Sequence, residues 1–411
     1  MNPRLLSLCA TVFISCLTVS RPGFADTPAV EVIRAPDGGV QPQACVDGEG
    51  TVHLVYGKTG PKGAWGPGDL FYVRMKAGEK GFSAPIRVNS QPGSAMVTGT
   101  VGGAQIAIGR GGRVHVVWNS PNVPKGKGAG GGEGGKARDG QPEGGEKKNE
   151  HKPLFYARMN DAGTGFLSQR DVGGKTEVLE GAGTVAADER GNVYVLWTSR
   201  GPVVGEGNRA VYMAHSPDDG KTFEAESIVN PRVTGACLCC SMRAAVDVQG
   251  RLYATYRAAG ETVHRDSTLL YASQPGGPLQ DVKLDEWAVQ YCPASSYGLA
   301  PTGSGALVAW ESKGQIYFAA FDAKSGKLGD PIAVAGEAGR RKYPVIVANT
   351  RGQKLLAWAE GVSWASGGSA AWQVYGEDYK PIGTKGEAPG VPPSCGVSAF
   401  ARPDGGFVVV Y

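Results

Sequence analysis

One hairpin form, repeated seven times, constrains this chain more than any other feature. The segments are ACVDGEGTVHLVY, AQIAIGRGGRVHVVW, TVAADERGNVYVLW, RAAVDVQGRLYATY, YGLAPTGSGALVAW, VIVANTRGQKLLAW and SAFARPDGGFVVVY. They end at Tyr56, Trp118, Trp197, Tyr256, Trp310, Trp358 and Tyr411. Each is a short apolar strand, a glycine-bearing turn and a second apolar strand closed by an aromatic. Alternating or continuous apolar runs around Gly, Asp and Asn are hairpin signals. Self-similarity at a period of about 50 residues marks a repeat architecture. Glycine is 64 of 411 residues, which suits a chain made of tight turns.

A second strand pair follows most of the hairpins. LFYVRMKAGEKGFSAPIRV follows the first and AVYMAHSPDDGKTFEAESIV the third. Four strands per repeat at this period predict an all-β fold, a β-propeller of four-stranded antiparallel blades. Seven blades are preferred, with six as the alternative. The last hairpin stops at Tyr411 without outer strands, while AVEVIRA (residues 29–35) precedes the first hairpin and has no partner of its own. It is expected to pair onto the last blade and close the ring, because an open sheet would leave an unpaired strand edge.

The first 25 residues read as an export signal. Arg4 supplies the charge, Leu5–Val19 the apolar core, and Gly23-Phe24-Ala25 the cleavage site. Ile14-Ser15-Cys16 is a marginal lipobox, so a form lipid-anchored through Cys16 is the alternative to a free periplasmic or extracellular protein. No segment has transmembrane length. Residues 26–411 are then one propeller domain, expected to be a monomer. Residues 120–152, Gly-rich and mixed in charge, read as a disordered insert in blade two. The net charge of +4 does not predict a nucleic-acid partner.

Ser216-Pro217-Asp218-Asp219-Gly220-Lys221-Thr222-Phe223 matches the Asp-box, S-x-D-x-G-x-T-[W/F]. In this it resembles the bacterial-neuraminidase repeats of the sialidase superfamily. The repeat pattern and the CLCC stretch are also similar to exported bacterial sialidase-like propellers. The local chemistry is structural. Ser216 and Asp218 can bond turn amides, Gly220 permits positive φ, Thr222 completes the turn and Phe223 can pack between sheets. In a four-stranded blade this turn joins strands three and four, so ligands are expected on the opposite rim.

The resemblance implies an exo-glycosidase acting on sialic-acid-like or other acidic glycans. Three arginines would hold the substrate carboxylate, a Tyr activated by Glu would be the nucleophile and an Asp the acid/base. Arginine forks bind carboxylates bidentately, and a tyrosine hydroxyl needs a base to act at neutral pH. Rim candidates are Arg34, Arg243, Arg265 and Arg341, with Arg257 and Arg340 beside them. Arg34-Ala35-Pro36 stands where the family has Arg-Ile-Pro. Tyr343 is the candidate nucleophile, with Tyr291 and Tyr297 as others, Glu311 the base and Asp266 the acid, with Asp37 as its alternative. A non-catalytic glycan- or protein-binding scaffold is the alternative.

Six cysteines follow the signal segment. Cys237, Cys239, Cys240, Cys292 and Cys395 fall on the ligand rim when the hairpins are aligned on their closing aromatics. The first four lie in loops of adjacent blades. They are candidates for one or two disulfides, for a redox-active Cys239–Cys240 bond, or for a thiolate site holding zinc or copper(I), and no other cofactor is expected. Cys45 aligns five residues further down its strand than Cys395, roughly 17 Å at ~3.3 Å per residue. A disulfide needs Cα atoms about 4.4–6.8 Å apart, so Cys45 is expected to be a buried free thiol. His53 and His115, inside apolar strands, are expected to be packed and hydrogen-bonded.

Overall fold

The computed structural model describes residues 27–60, 67–98, 101, 103–121, 152–179, 181, 183–201, 203, 205–260 and 264–411. The predicted signal segment and most of the predicted insert (122–151) lie outside the described residues.

Each repeat forms one blade, and there are seven. Blade three shows why. Thr184–Ala187 pairs antiparallel with Val193–Ser199 through the turn at Asp188, then come Ala210–Ser216 and Ser227–Ile228. Asp188 closes the turn by accepting the amides of Arg190 and Asn192, the local bond that makes Asp a turn residue.

Successive side chains on a strand point to opposite faces, and each face of a blade meets a neighbour. Val193, Val195 and Trp197 pack against blade two, and Tyr194 and Leu196 against blade four. The same division recurs around the ring, where seven apolar clusters each fill one interface between neighbouring blades. The closing aromatics Tyr56, Trp118, Trp197, Tyr256, Trp310 and Trp358 are among the largest fully buried side chains. Tyr411 is half-buried. A blade cannot bury both faces alone, so the ring is the unit of stability.

The innermost strands are Val40–Val46, Gln105–Gly109, Thr184–Ala187, Arg243–Val246, Tyr297–Pro301, Arg341–Ala348 and Ser398–Ala401. Each touches the next, and the last touches the first. Together they surround a central channel of about 330 Å³. The ring closes as expected from the sequence. Val30–Ile33 lies parallel to Phe407–Val410, giving a three-stranded seventh blade.

The Asp-box turn has the expected bonds. Ser216 Oγ donates to Asp218 Oδ1 (2.8 Å) and accepts the Gly220 amide (2.9 Å). Asp218 also accepts the amides of Lys221 and Thr222 and the Thr222 hydroxyl, at 2.7–3.0 Å. Gly220 has φ +72°, and a Cβ there would collide with the Tyr156 hydroxyl. Phe223 meets Tyr156 edge-on at 5.0 Å, joining blade three to blade two. The Thr222 amide and hydroxyl bonds, helped by Ser216 and Lys221, hold the Asp218 carboxyl well below the usual range. A carboxyl depressed in the fold contributes stability that is complete above its unfolded pKa and lost as pH falls through its folded one. In urea melts, the midpoint advantage of wild type over Asp218→Asn should therefore be constant above about pH 5 and shrink below about pH 4. A gap that widens in acid would contradict this role.

Candidate functional site

The rim opposite the Asp-box turn carries two adjoining features, a polar channel mouth and a cluster of four cysteines. Both follow from how the chain enters the innermost strands. Gln41, Gly103 and Tyr343 each stand fifteen residues before their blade's closing aromatic, and all three have left-handed backbone, with φ of 52°, 55° and 56°. Ala294 and Ser394 do the same one or two residues away, at 46° and 58°. Left-handed non-glycine residues are strained by about 1–3 kcal/mol, and such strain gathers at ligand sites. The pairing registers slip beside Gln41 and Tyr343, which sets these side chains around the mouth.

Arg243 is the one charged side chain among the described residues lining the channel. It donates to Gln105 Oε1 of blade two and to the Met242 carbonyl, so it reaches across the mouth. Burial alone pulls its pKa down to about 10, with no carboxylate contributing. Gln43, Thr184 and Ser398 line the channel with it. Gln41, Tyr343 and Ser394 share a small polar recess with it beside the mouth.

The cysteines are brought together by two loops between blades. One runs from Ser227–Ile228 to Arg243–Val246, the other from Leu279–Asp285 to Tyr297–Pro301. The backbone bonds Cys237 N–H to Arg257 O (2.8 Å) and Ser241 N–H to Ser295 O (3.0 Å) hold the loops in place. All four sulfurs lie within 4.8 Å of one another. Cys239 and Cys292 form a disulfide, while Cys237 and Cys240 are buried thiols. Cys237 Sγ lies 3.5, 3.7 and 3.8 Å from the sulfurs of Cys240, Cys292 and Cys239. Donation of the Cys237 proton to Cys240, together with burial, raises the Cys237 pKa. Burial works against the Cys240 thiolate, but the Cys237 bond, Arg257, the Ser295 amide and Lys342 outweigh it and lower its pKa.

Three further groups sit near these thiols. Arg257 is buried, donates to the carbonyls of Arg265 (2.9 Å) and Glu311 (2.8 Å), and stacks on Trp287 and Tyr297. Glu311 Oε2 lies 3.5 Å from it, and Glu311 Oε1 accepts the Gly314 amide. Burial pushes the Glu311 carboxyl up against the pull of Arg257, Gly314 and Lys342. Lys342 donates to the carbonyls of Pro293 and Ala294 in the second cysteine loop, and burial lowers its pKa. Arg257 stands among the rim candidates read from the sequence, but its role as a buried anchor, like that of Lys342 as a loop clamp, depends on which loop packs above it.

The other arginines singled out from the sequence go elsewhere. Arg34 donates to the Pro389 and Gly390 carbonyls and stacks on Tyr411. Arg265 pairs with Glu206 (3.0 Å). Arg341 is buried between Gln315 (2.7 Å) and Glu360 (3.3 Å) over Trp358. None of these three lines the channel or its recess, and no two share a partner. Asp266 accepts the Trp287 amide and pairs with Lys283. Tyr291 is exposed, and Tyr297 is buried with its hydroxyl donated to Ser267. Tyr343 lines the recess. Burial, then the negative charge of Cys240, Cys395 and Glu311, push its hydroxyl above the usual phenol range.

Cys45 is a free thiol, as expected, and so is Cys395. Cys45 is half-buried rather than buried, because its strand faces the open channel instead of a neighbouring sheet. His53 and His115 are packed inside their blades, each bonded to a tyrosine hydroxyl at 2.7 Å.

The architecture and its channel mouth define a seven-bladed β-propeller. No protein-family profile matches the chain, and no curated protein sequence does. Among solved structures, the chain is similar to a Penicillium chrysogenum alpha-L-arabinanase complexed with arabinobiose, at 12% identity over 86% of this chain and 98% of that one, with a TM-score of 0.51. It is also similar to a Hadza microbial sialidase, at 13% identity over 78% and 63% and a TM-score of 0.47. A third is a Dyadobacter fermentans protein of unknown function, at 12% identity over 93% and 96% and a TM-score of 0.44. The likeness to the arabinanase is one of fold. No helix among the described residues is long and apolar enough to cross a membrane.

Proposed function

We propose that this is an exported propeller that binds acidic glycans at the cysteine-bearing mouth, with Arg243 as the anchor for the sugar carboxylate. The observation that carries this reading is Arg243 itself. It is a half-buried guanidinium at the rim of an open channel, bonded to an amide and a carbonyl rather than to a carboxylate. A partly desolvated charge without a counter-charge is poorly satisfied, and an anionic ligand would supply that charge with bidentate geometry. Gln41, Gln43, Thr184 and Ser398 offer donors and acceptors for sugar hydroxyls around it. The solved neighbour named as an arabinanase favours a sugar as the ligand class.

Calorimetric titration with N-acetylneuraminic acid, glucuronic acid and the neutral arabinobiose tests the reading. Wild type should prefer the acids, and Arg243→Met should weaken acid binding at least tenfold. Equal binding of acid and neutral sugars, or acid binding unchanged in Arg243→Met, would overturn it.

Hydrolysis is the second reading, favoured by Tyr343 lining the same recess as Arg243. In it Tyr343 attacks and Glu311 draws its proton; Asp266, paired with Lys283 on the outer strand of its blade, lies outside this recess and is not its acid. Turnover of a fluorogenic sialoside or glucuronide, abolished in Tyr343→Phe, would establish it. Silence across that panel with binding retained leaves the binding reading alone.

A further inference from the structure

We infer that Cys237, Cys239, Cys240 and Cys292, once the Cys239–Cys292 disulfide is reduced, form a binding site for one thiophilic d¹⁰ metal ion, zinc(II) or copper(I). This site is separate from the glycan reading, because it needs neither Arg243 nor a ligand in the channel.

Geometry is the first support. Four sulfurs lie within 4.8 Å of one another, drawn from loops of two adjacent blades. A tetrahedral ion with metal–sulfur bonds of about 2.3 Å has sulfur–sulfur edges of about 3.8 Å. The edges from Cys237 to the other three are 3.5, 3.7 and 3.8 Å. Of the three other edges, those from Cys240 to Cys239 and Cys292 lie within the same 4.8 Å, and reduction frees the one between Cys239 and Cys292 to open. Two structural disulfides would explain four clustered cysteines without a metal, but here one pair is bonded and the other is left as thiols.

Charge is the second support. Four thiolates around a divalent ion carry two net negative charges, and two thiolates around copper(I) carry one. Arg257 and Lys342 are cations held beside the cluster, each fixed by backbone carbonyls. Buried charges persist when paired, and this pair suits an anionic metal–thiolate centre. The burial gradient also gives an entry path. Cys237 and Cys240 are buried, Cys239 is half-buried and Cys292 is exposed, so an ion can meet Cys292 first.

The redox step balances. The disulfide takes two electrons and two protons, giving two thiols. A trialkylphosphine supplies the electrons and becomes a phosphine oxide, with its oxygen taken from water. Ion binding then displaces thiol protons to solvent.

The test uses the purified mature protein, reduced with the phosphine and desalted without oxygen. Zinc(II) is titrated against a chromophoric chelator and, separately, copper(I) against bicinchoninate. The expected result is one ion per chain for at least one of the two metals, absent before reduction. Binding should weaken at least 100-fold in Cys237→Ser and Cys292→Ser and be unchanged in Cys395→Ser. Retention of only one metal identifies the ion. Cys292 is exposed, so Cys292→Ser should keep the fold even if Cys237→Ser does not. Failure of the reduced protein to take up either ion, or uptake unchanged in Cys292→Ser, overturns the inference.

Discussion

A chain shortened to begin at Pro36 is expected to lose most of its folding stability. The missing strand contributes three backbone bonds outside the ladder: Phe407 N–H to Ala29 O (2.8 Å), Tyr411 N–H to Ile33 O (3.1 Å) and Ala35 N–H to Tyr411 O (2.8 Å). It also brings Val30 and Val32 against the cluster between blades six and seven, and Ile33 and Ala35 against that between seven and one. At about 1 kcal/mol per bond and a similar amount per half-buried aliphatic, the loss is roughly 5–7 kcal/mol. Whole domains are stable by only about 5–15 kcal/mol. The strand Phe407–Val410 would in addition be left as an open edge, a template for pairing with a second chain. Urea unfolding should show a much lower midpoint, and size-exclusion chromatography should show oligomers. The single change Val32→Asp should act in the same direction with a smaller effect. A truncated protein with a wild-type midpoint would show that the ring does not depend on this closure.

Arg257→Met is expected to destabilise the fold by about 3–5 kcal/mol at neutral pH. The guanidinium is the charge partner of the buried Glu311 and bonds two carbonyls, and methionine leaves all three unanswered. The pH dependence gives the cause away. Glu311 already has a raised pKa in the fold, and an acid raised by folding weakens stability as pH climbs from its unfolded value toward its folded one. Removing Arg257 raises it further. The penalty should therefore be small near pH 4 and grow toward neutrality. Glu311→Gln in the same chain should restore part of the loss at pH 7, because it removes the carboxylate rather than the bonds to carbonyls. A penalty independent of pH, with no rescue, would point to lost packing against Trp287 and Tyr297 instead.

Much of the fold is legible in the sequence because a blade is a local object. The turn at Asp188, the alternation of Val193 to Trp197 and the closing aromatics are all set within a few residues. The ring closure was readable as well, from two incomplete ends. The mouth is different. Aligning the repeats on their aromatics places four cysteines at similar heights, which correctly groups them. Alignment gives height, however, and not direction. It could not tell that Cys45 faces the channel, or that Arg34 turns to carbonyls of blade six and Arg341 to Gln315 of blade five and Glu360 of its own blade, while Arg243 spans the channel. A long arginine side chain reaches partners chosen by loops from elsewhere in the chain, and nothing within a few residues of Arg341 distinguishes it from Arg243.

The parallel pairing of Val30–Ile33 with Phe407–Val410 also has a consequence for timing. The partners stand 377 residues apart. At a synthesis rate of about 5–20 residues per second, the first strand waits roughly 20–75 s for its partner. For that interval every completed blade belongs to an open arc with two bare ends. The last ladder to form is thus the one that converts a growing stack into a circle, and protection from premature self-association must come from outside the chain or from speed.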